Sequence, residues 1–321
     1  MGPTLFDEIR QGAAWVVARA RSVTVRADRI AAYCAGLPAG ELALPELDPR
    51  HHYLGHGLDT AAFLLILDTI NFGSGYFPAL RKLPGLSGYF TVATHLTRRF
   101  HERGCPRPDE LAVIGLDDCR ELFQQDPGNE TSDELMSLFS RALNELGELL
   151  VRRYAGSYAA FLEAAGGSAE RLARNLAQLA LFDDRQTYAG ARVAFFKRAQ
   201  LTAADLHLAF DGAGHGRFDD ISSLTIFADN LIPHVLRCDG ILEYAPALAA
   251  RIDHQQLVAR DSREEIEIRA SALFAVEQMV AQLRAAGRDA TALQLDYLLW
   301  NRGQEPSYKA RPRHRTRSWS Y

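Results

Sequence analysis

The stretch FDDISSLTIFADNLIPHVL, residues 218–236, sets three carboxylates among apolar residues. Asp219 and Asp220 precede the apolar run and Asp229 ends it. The pattern predicts a short helix over 221–228 with Asp220 as its N-cap. At ~1.5 Å per residue, such a helix sets Asp220 and Asp229 about 13 Å apart along its axis. Carboxylates that far apart cannot both flank one glycosidic bond as a retaining pair does. They could grip opposite ends of a nucleoside-sized ligand. On this reading Asp229 stands at a helix C-terminus, where the dipole disfavours negative charge unless a cation or ligand compensates. That makes Asp229 the best catalytic candidate on physical grounds, while Asp220 is equally well explained as a cap.

Other groups carry chemistry less specifically. Lys197 and Arg198, in FFKRAQ, could form an anion pocket beside Phe195 and Phe196, or simply a solvated helix start. Asp296 and Trp300, in LDYLLW, share a helix face at a spacing of four. An acid there can read the donor edge of a base while the ring stacks on it; the bland alternative is a buried acid paired with an arginine. GAGHG at 212–216 lacks the preceding strand and following Lys-Ser/Thr of a phosphate loop, so it reads as a loop between helices. The ten histidines are dispersed, and HHYLGH at 51–56 is too short and loop-like for a convincing metal site. No metal is expected. Cys34, Cys105, Cys119 and Cys238 form no CxxC pair and read as inert thiols of a reducing compartment.

These residues need a scaffold, and the dominant period is helical. Apolar spacing predicts helices over 8–20, 28–35, 58–70, 89–102, 132–154, 168–181, 199–210, 263–286 and 291–300. Ser157 is a candidate cap for one more. Residues 36–52 read as a connecting loop, and 187–195 has room for a small β-hairpin. The fold class is therefore mainly α: a single globular domain over 1–321, with the option of two helical lobes and a basic tail at 303–321. That tail holds Lys309, Arg311, Arg313, Arg315 and Arg317.

Composition removes whole classes. The 321 residues carry 36 basic and 40 acidic side chains, a net charge of -4, which argues against a dedicated nucleic-acid binder. The longest apolar run, 61–67, is far short of the roughly 20 residues of a membrane span. The N-terminus, MGPTLFDEIR, lacks the apolar segment of a signal peptide. A cytoplasmic protein with a small-molecule partner is expected, with no membrane and no direct tRNA contact.

Several blocks stand in the order of one known family: LDTINFGSGYFP (67–78), FFKRAQLTAADL (195–206), FDDISSLTIFADNLIPHVL (218–236), EEIEIRASALFAVE (264–277), LDYLLW (295–300) and HRTRSWSY (314–321). The chain resembles the queuosine salvage family, the queuosine 5'-phosphate N-glycosylases, from about residue 45 to the end. The resemblance implies a mainly helical fold distantly similar to helix-hairpin-helix DNA glycosylases. It implies hydrolysis of the N-glycosidic bond of queuosine 5'-monophosphate, giving queuine and ribose 5-phosphate, with no cofactor. Carried over, Asp229 matches the acid of the ADxxxP block and would act on the ribosyl centre, as nucleophile or electrostatic partner. Phe218 with Asp219 or Asp220 would hold the base, and Asp296 the base or its cyclopentenediol arm. Lys197 would bind the phosphate, and His52 and His56 would supply polar contacts. Here Gly73-Ser74-Gly75 separates the NF pair from Tyr76, a departure from the eukaryotic pattern.

Two other classes compete: a non-catalytic carrier of queuine or a nucleotide, and a DNA-repair glycosylase. LPGLSG at 83–88 mimics part of a helix-hairpin-helix motif, yet no catalytic Asp follows at a suitable distance.

Overall fold

A computed structural model describes residues 2–38 and 42–321. Residues 39–41 of the expected loop over 36–52 therefore lie outside the described residues. The elements run α1 (Leu5–Val17), β1 (Val23–Val25), α2 (Ala27–Ala35), α3 (Leu58–Thr69), α4 (Gly88–Arg103), α5 (Pro108–Leu111), α6 (Leu116–Leu122), α7 (Glu130–Tyr154), α8 (Tyr158–Glu163) and α9 (Ala169–Leu176). They continue with β2 (Arg185–Tyr188), β3 (Ala191–Ala194), α10 (Lys197–Ala209), α11 (Ile232–Cys238), β4 (Leu242–Tyr244), α12 (Pro246–Asp253), α13 (Arg263–Ala285), α14 (Ala292–Arg302) and α15 (Pro306–Lys309). The protein is mainly α, as its periodicity requires.

Local chemistry explains where several helices start. The Ser157 hydroxyl accepts from Ala160 N at 3.1 Å, and Ser168 from Arg171 N at 3.2 Å. The Asn129 side chain does the same for Ser132 at 3.2 Å, which starts α7 at Glu130, two residues before the expected 132. The expected hairpin forms: β2 and β3 pair antiparallel from Arg185↔Ala194 to Tyr188↔Ala191. Ala189 and Gly190 turn it with φ of 48° and 82°, both in the left-handed region that a tight hairpin turn requires. A second antiparallel pair, β1 with β4, joins Val23–Val25 to Leu242–Tyr244. Strands of three residues are too short to announce themselves by period.

The chain divides into two compact units. The first comprises Met1–Pro45, Asp184–Lys197 and Ser222–Arg317. Its axis is α13, on which α1, α2, β1, β2, α11 and α14 pack. This helix is buried without interruption from Glu265 to Leu273, so Glu265, Glu267, Arg269 and Ser271 are interior polar residues. Buried charges need partners, and these partners organise the unit. Glu267, for example, accepts from Arg21 N, Ser22 N and the Tyr188 hydroxyl at 3.0, 2.6 and 2.7 Å.

The second unit comprises Glu46–Asp183, Arg198–Ile221 and Ser318–Tyr321. Its core is α3, buried at every position from Thr60 to Thr69, with α4, α7 and α8 around it. A helix apolar on all sides belongs inside. The short α5 presses on α7 at Gly147, where a Cβ would stand 2.4 Å from Ala112 N; only glycine admits that approach.

One expected element is absent. The helix expected over 221–228 does not form: a 3₁₀ turn at Ile221–Ser223 gives way to irregular backbone, and helix resumes only at Ile232. The apolar run is buried from Leu224 to Ala228; Ala228 N donates locally to Ile226 O at 3.1 Å, and two further backbone groups are met from afar. Asp296 Oδ1 accepts from Phe227 N at 2.8 Å, and Arg269 Nε donates to Ala228 O at 2.9 Å. Long-range side chains thus replace the helical ladder. The basic tail is laid down as well. His314, Thr316 and Ser318 are buried in alternation with exposed Arg313 and Arg317, and Val258 N donates to Arg315 O at 2.9 Å. Within the second unit, Gly73 N donates to Tyr321 O at 3.0 Å.

Candidate functional site

Asp229 has a setting unlike the one its sequence position suggested. With no helix ending there, its carboxylate does not oppose a C-terminal dipole. It lies ahead of α11 instead, and its Oδ1 accepts from Leu231 N at 2.7 Å and Ile232 N at 3.0 Å. Amides at a helix start welcome negative charge. The estimate of about 13 Å between Asp220 and Asp229 along a helix axis falls with the helix. Along 224–236 Asp229, half-buried, is the one residue that is not fully buried. Arg313 lies close enough to feel it: protein packed around the guanidinium lowers its pKa, the Asp229 charge raises it again, and the residue keeps an exposed face.

Lys197 begins α10 and is only 7% exposed, which overturns the alternative of a solvated helix start. Its backbone N–H donates to Asp184 Oδ2 at 3.2 Å. Asp184 in turn takes both ends of a buried guanidinium, Arg269 Nη1 to Oδ1 at 2.9 Å and Nη2 to Oδ2 at 2.6 Å. The same guanidinium lies 4.1 Å from the Phe195 ring centre. Arg198, considered with Lys197 for an anion pocket, is spent elsewhere. It donates to the carbonyls of Asp68 at 3.3 Å, Thr69 at 2.6 Å and Leu181, with its guanidinium over Phe72 and Phe182. It closes the C-terminus of α3, whose last carbonyls lack helical donors.

Asp296 lies inside α14, 3% exposed, and holds the Phe227 amide. Phe227 meets Tyr297 edge-on at 6.3 Å between ring centres.

The remaining candidates belong to the second unit. Phe218 is buried, Asp219 exposed and Asp220 half-buried. Asp219 pairs at the surface with Arg217 at 3.3 Å, and its N–H donates to Gly167 O at 2.9 Å. Asp220 is a cap, but not of its own segment. Its carboxylate accepts from Ser168 Oγ at 2.9 Å, Ala169 N at 2.6 Å and Glu170 N at 3.1 Å, at the start of α9. His52 is buried and its pKa is lowered by burial. Its Nδ1 lies 2.9 Å from Asp48 O, so the neutral ring donates there; Nε2 then accepts from the Tyr89 hydroxyl, also at 2.9 Å. His56 is exposed and stacks on Tyr53 at 3.9 Å.

Asp184 and Arg269 were not singled out from sequence. Their only signal is a charged residue at a core-facing helical position, EIEIRAS, which period alone cannot pair with an acid 85 residues away. The four cysteines are free; Cys34 and Cys119 are buried, and burial pushes the Cys105 and Cys119 thiols up to about 12. Among the described residues, no group of three or more His, Cys, Asp or Glu side chains could hold a metal ion. No helix among them is long and apolar enough to cross a membrane.

The molecule is thus a mainly helical protein with a buried acid–guanidinium framework behind a reachable carboxylate. The chain belongs to the queuosine salvage protein family, whose model matches residues 51–321. It is 36% identical over 312 residues to the queuosine 5'-phosphate N-glycosylase/hydrolase of Sphaerobacter thermophilus, covering 95% of each chain. The protein of that name from Mus musculus is 29% identical over 358 aligned positions, spanning 100% of both chains. That of Dictyostelium discoideum is 31% identical over 261 positions, 80% of this chain and 77% of its own.

Proposed function

We propose that this protein is a hydrolase that cleaves the N-glycosidic bond of queuosine 5'-monophosphate, releasing queuine and ribose 5-phosphate. Family membership and the names of its relatives support the substrate. The observation that carries the chemistry is Asp229, the sole reachable group between Leu224 and Leu236. In the reaction, the bond from C1' to the base breaks and its electron pair leaves with the base nitrogen, which takes up a proton. Water supplies the hydroxyl at C1'. A carboxylate beside C1' stabilises the ribosyl cation more than the neutral ground state, which lowers the barrier. The two amides on Oδ1 fix the group, and Oδ2 is the oxygen proposed to act on C1'.

Lys197 is proposed to bind the phosphate, and Asp296 to accept from the donor edge of the 7-deazaguanine or from its cyclopentenediol arm. The mechanism calls for no cofactor. A net charge of -4 suits a cytoplasmic enzyme for a single nucleotide better than a tRNA binder.

The test is incubation with queuosine 5'-monophosphate, the unphosphorylated nucleoside and queuosine-containing tRNA, with free queuine read by mass spectrometry. Release from the monophosphate, lost in Asp229→Asn, is the expected result. Binding without release would make the protein a carrier, and base release from uracil-containing or alkylated DNA would make it a repair glycosylase.

A further inference from the structure

We propose that Arg269 is a positioning residue that sets Asp229 and Lys197 in place together. The inference rests on the reading of those two residues as the ribosyl and phosphate groups of the site. Arg269 Nε donates at 2.9 Å to Ala228 O, the carbonyl of the peptide that continues into Asp229. Its Nη2 donates at 2.6 Å to Asp184 Oδ2, the same oxygen that accepts the Lys197 amide at 3.2 Å. One rigid guanidinium therefore holds the peptide of the acid directly and the peptide of the lysine through Asp184.

Two further features fit that role. Phe196, immediately before Lys197, has a φ of 47°. An aromatic residue in the left-handed region is strained by its Cβ, and such strain persists where surrounding contacts hold the backbone. Asp184 holds that turn from both sides, through Phe195 N to its carbonyl at 3.1 Å and Lys197 N to its carboxylate. Moreover, a fully buried ion pair is a poor source of stability, since apolar residues of similar volume commonly do as well. What only arginine supplies is a planar fork with donors in three fixed directions. Lysine at the same place is a point charge and cannot hold both peptides.

The experiment compares wild type with Arg269→Lys on the monophosphate and the unphosphorylated nucleoside, and follows thermal stabilisation by ribose 5-phosphate. The expected kcat loss is about 10²-fold, as for a misplacement near 1 Å. The preference in kcat/KM for the monophosphate falls about tenfold, equivalent to about 1.4 kcal/mol, and stabilisation by ribose 5-phosphate disappears. A lower melting temperature with kcat, preference and ribose 5-phosphate response all retained would overturn the inference and leave Arg269 a packing residue. Should Arg269→Lys lose its melting transition, Phe195→Leu takes its place. It removes the ring under the guanidinium and keeps every hydrogen bond of the fork; a smaller loss in the same ratio is expected, and an unchanged ratio overturns the inference. A wild type that releases no queuine refutes the functional reading itself, a result distinct from active variants with unchanged ratios.

Discussion

Replacing Asp220 by alanine separates a cap from a ligand contact. The carboxylate meets two of the first free amides of α9, Ala169 N at 2.6 Å and Glu170 N at 3.1 Å, and the Ser168 hydroxyl at 2.9 Å. Ser168 covers the third amide, of Arg171. In Asp220→Ala, two amides and a hydroxyl lose a charged acceptor. Hydrogen bonds to charged groups contribute about 1.5–3 kcal/mol each, and Asp220 is half-buried, so water recovers part of the loss. A net cost of about 2–3 kcal/mol follows, at or above the ~2 kcal/mol upper end of single caps, because a hydroxyl is lost as a partner as well. For a chain of this size, at about 1.5 °C per kcal/mol, that lowers the melting temperature by roughly 3–5 °C. Asp219→Ala removes an exposed carboxylate whose pair with Arg217 is 72% exposed on both sides. Such a pair contributes little, and the variant melts within about 0.5 kcal/mol of wild type. Circular dichroism melts at neutral pH read both, with KM for the monophosphate measured on the folded proteins. If Asp220→Ala melts with wild type, or Asp219→Ala falls as far, the assignment of Asp220 to the start of α9 is wrong.

Asp229→Asn keeps the shape and the capping oxygen that serves Leu231 and Ile232. Its melting temperature should hold while kcat falls about 10²–10³-fold; a loss under twofold would remove Asp229 from the chemistry. Lys197→Met should raise KM for the monophosphate about tenfold and leave the unphosphorylated nucleoside unaffected; equal effects on both substrates would refute a phosphate contact. His314 is buried, and burial, then the charges of Arg313, His234, Arg269 and Arg237, pushes its pKa from 6.5 down to about 3. The unfolded chain takes up this proton first, so stability is full above pH 6.5 and falls as pH drops toward 3, by about 1.4 kcal/mol per unit. Melts at pH 7.5, 6 and 5 should show a shallower fall in His314→Gln than in wild type; parallel curves would refute the buried neutral ring.

Much of the framework was legible locally because its causes are local. The all-apolar run of α3, the stripe of α7, the cap Ser157 and the hairpin over 187–195 each answer to period or to one hydrogen bond within a few residues. The run 221–228 misled for the same reason. Its apolar content suits a helix, yet its backbone is satisfied by Asp296 and Arg269, 69 and 41 residues away in sequence. No local pattern records such partners.

The carboxylates and Lys197 were identifiable from their residue types and neighbours, and their family blocks point to a nucleotide substrate. Only the tertiary structure decided how each is held. It moved Asp229 from an opposing dipole to two favourable amides, turned Asp220 into the cap of another helix, buried Lys197 and assigned Arg198 to the end of α3. It also paired Asp184 with Arg269, which nothing in either segment announces. The physical reason is that burial creates an obligation to pair, while the partner is chosen by whatever the fold brings within about 3 Å.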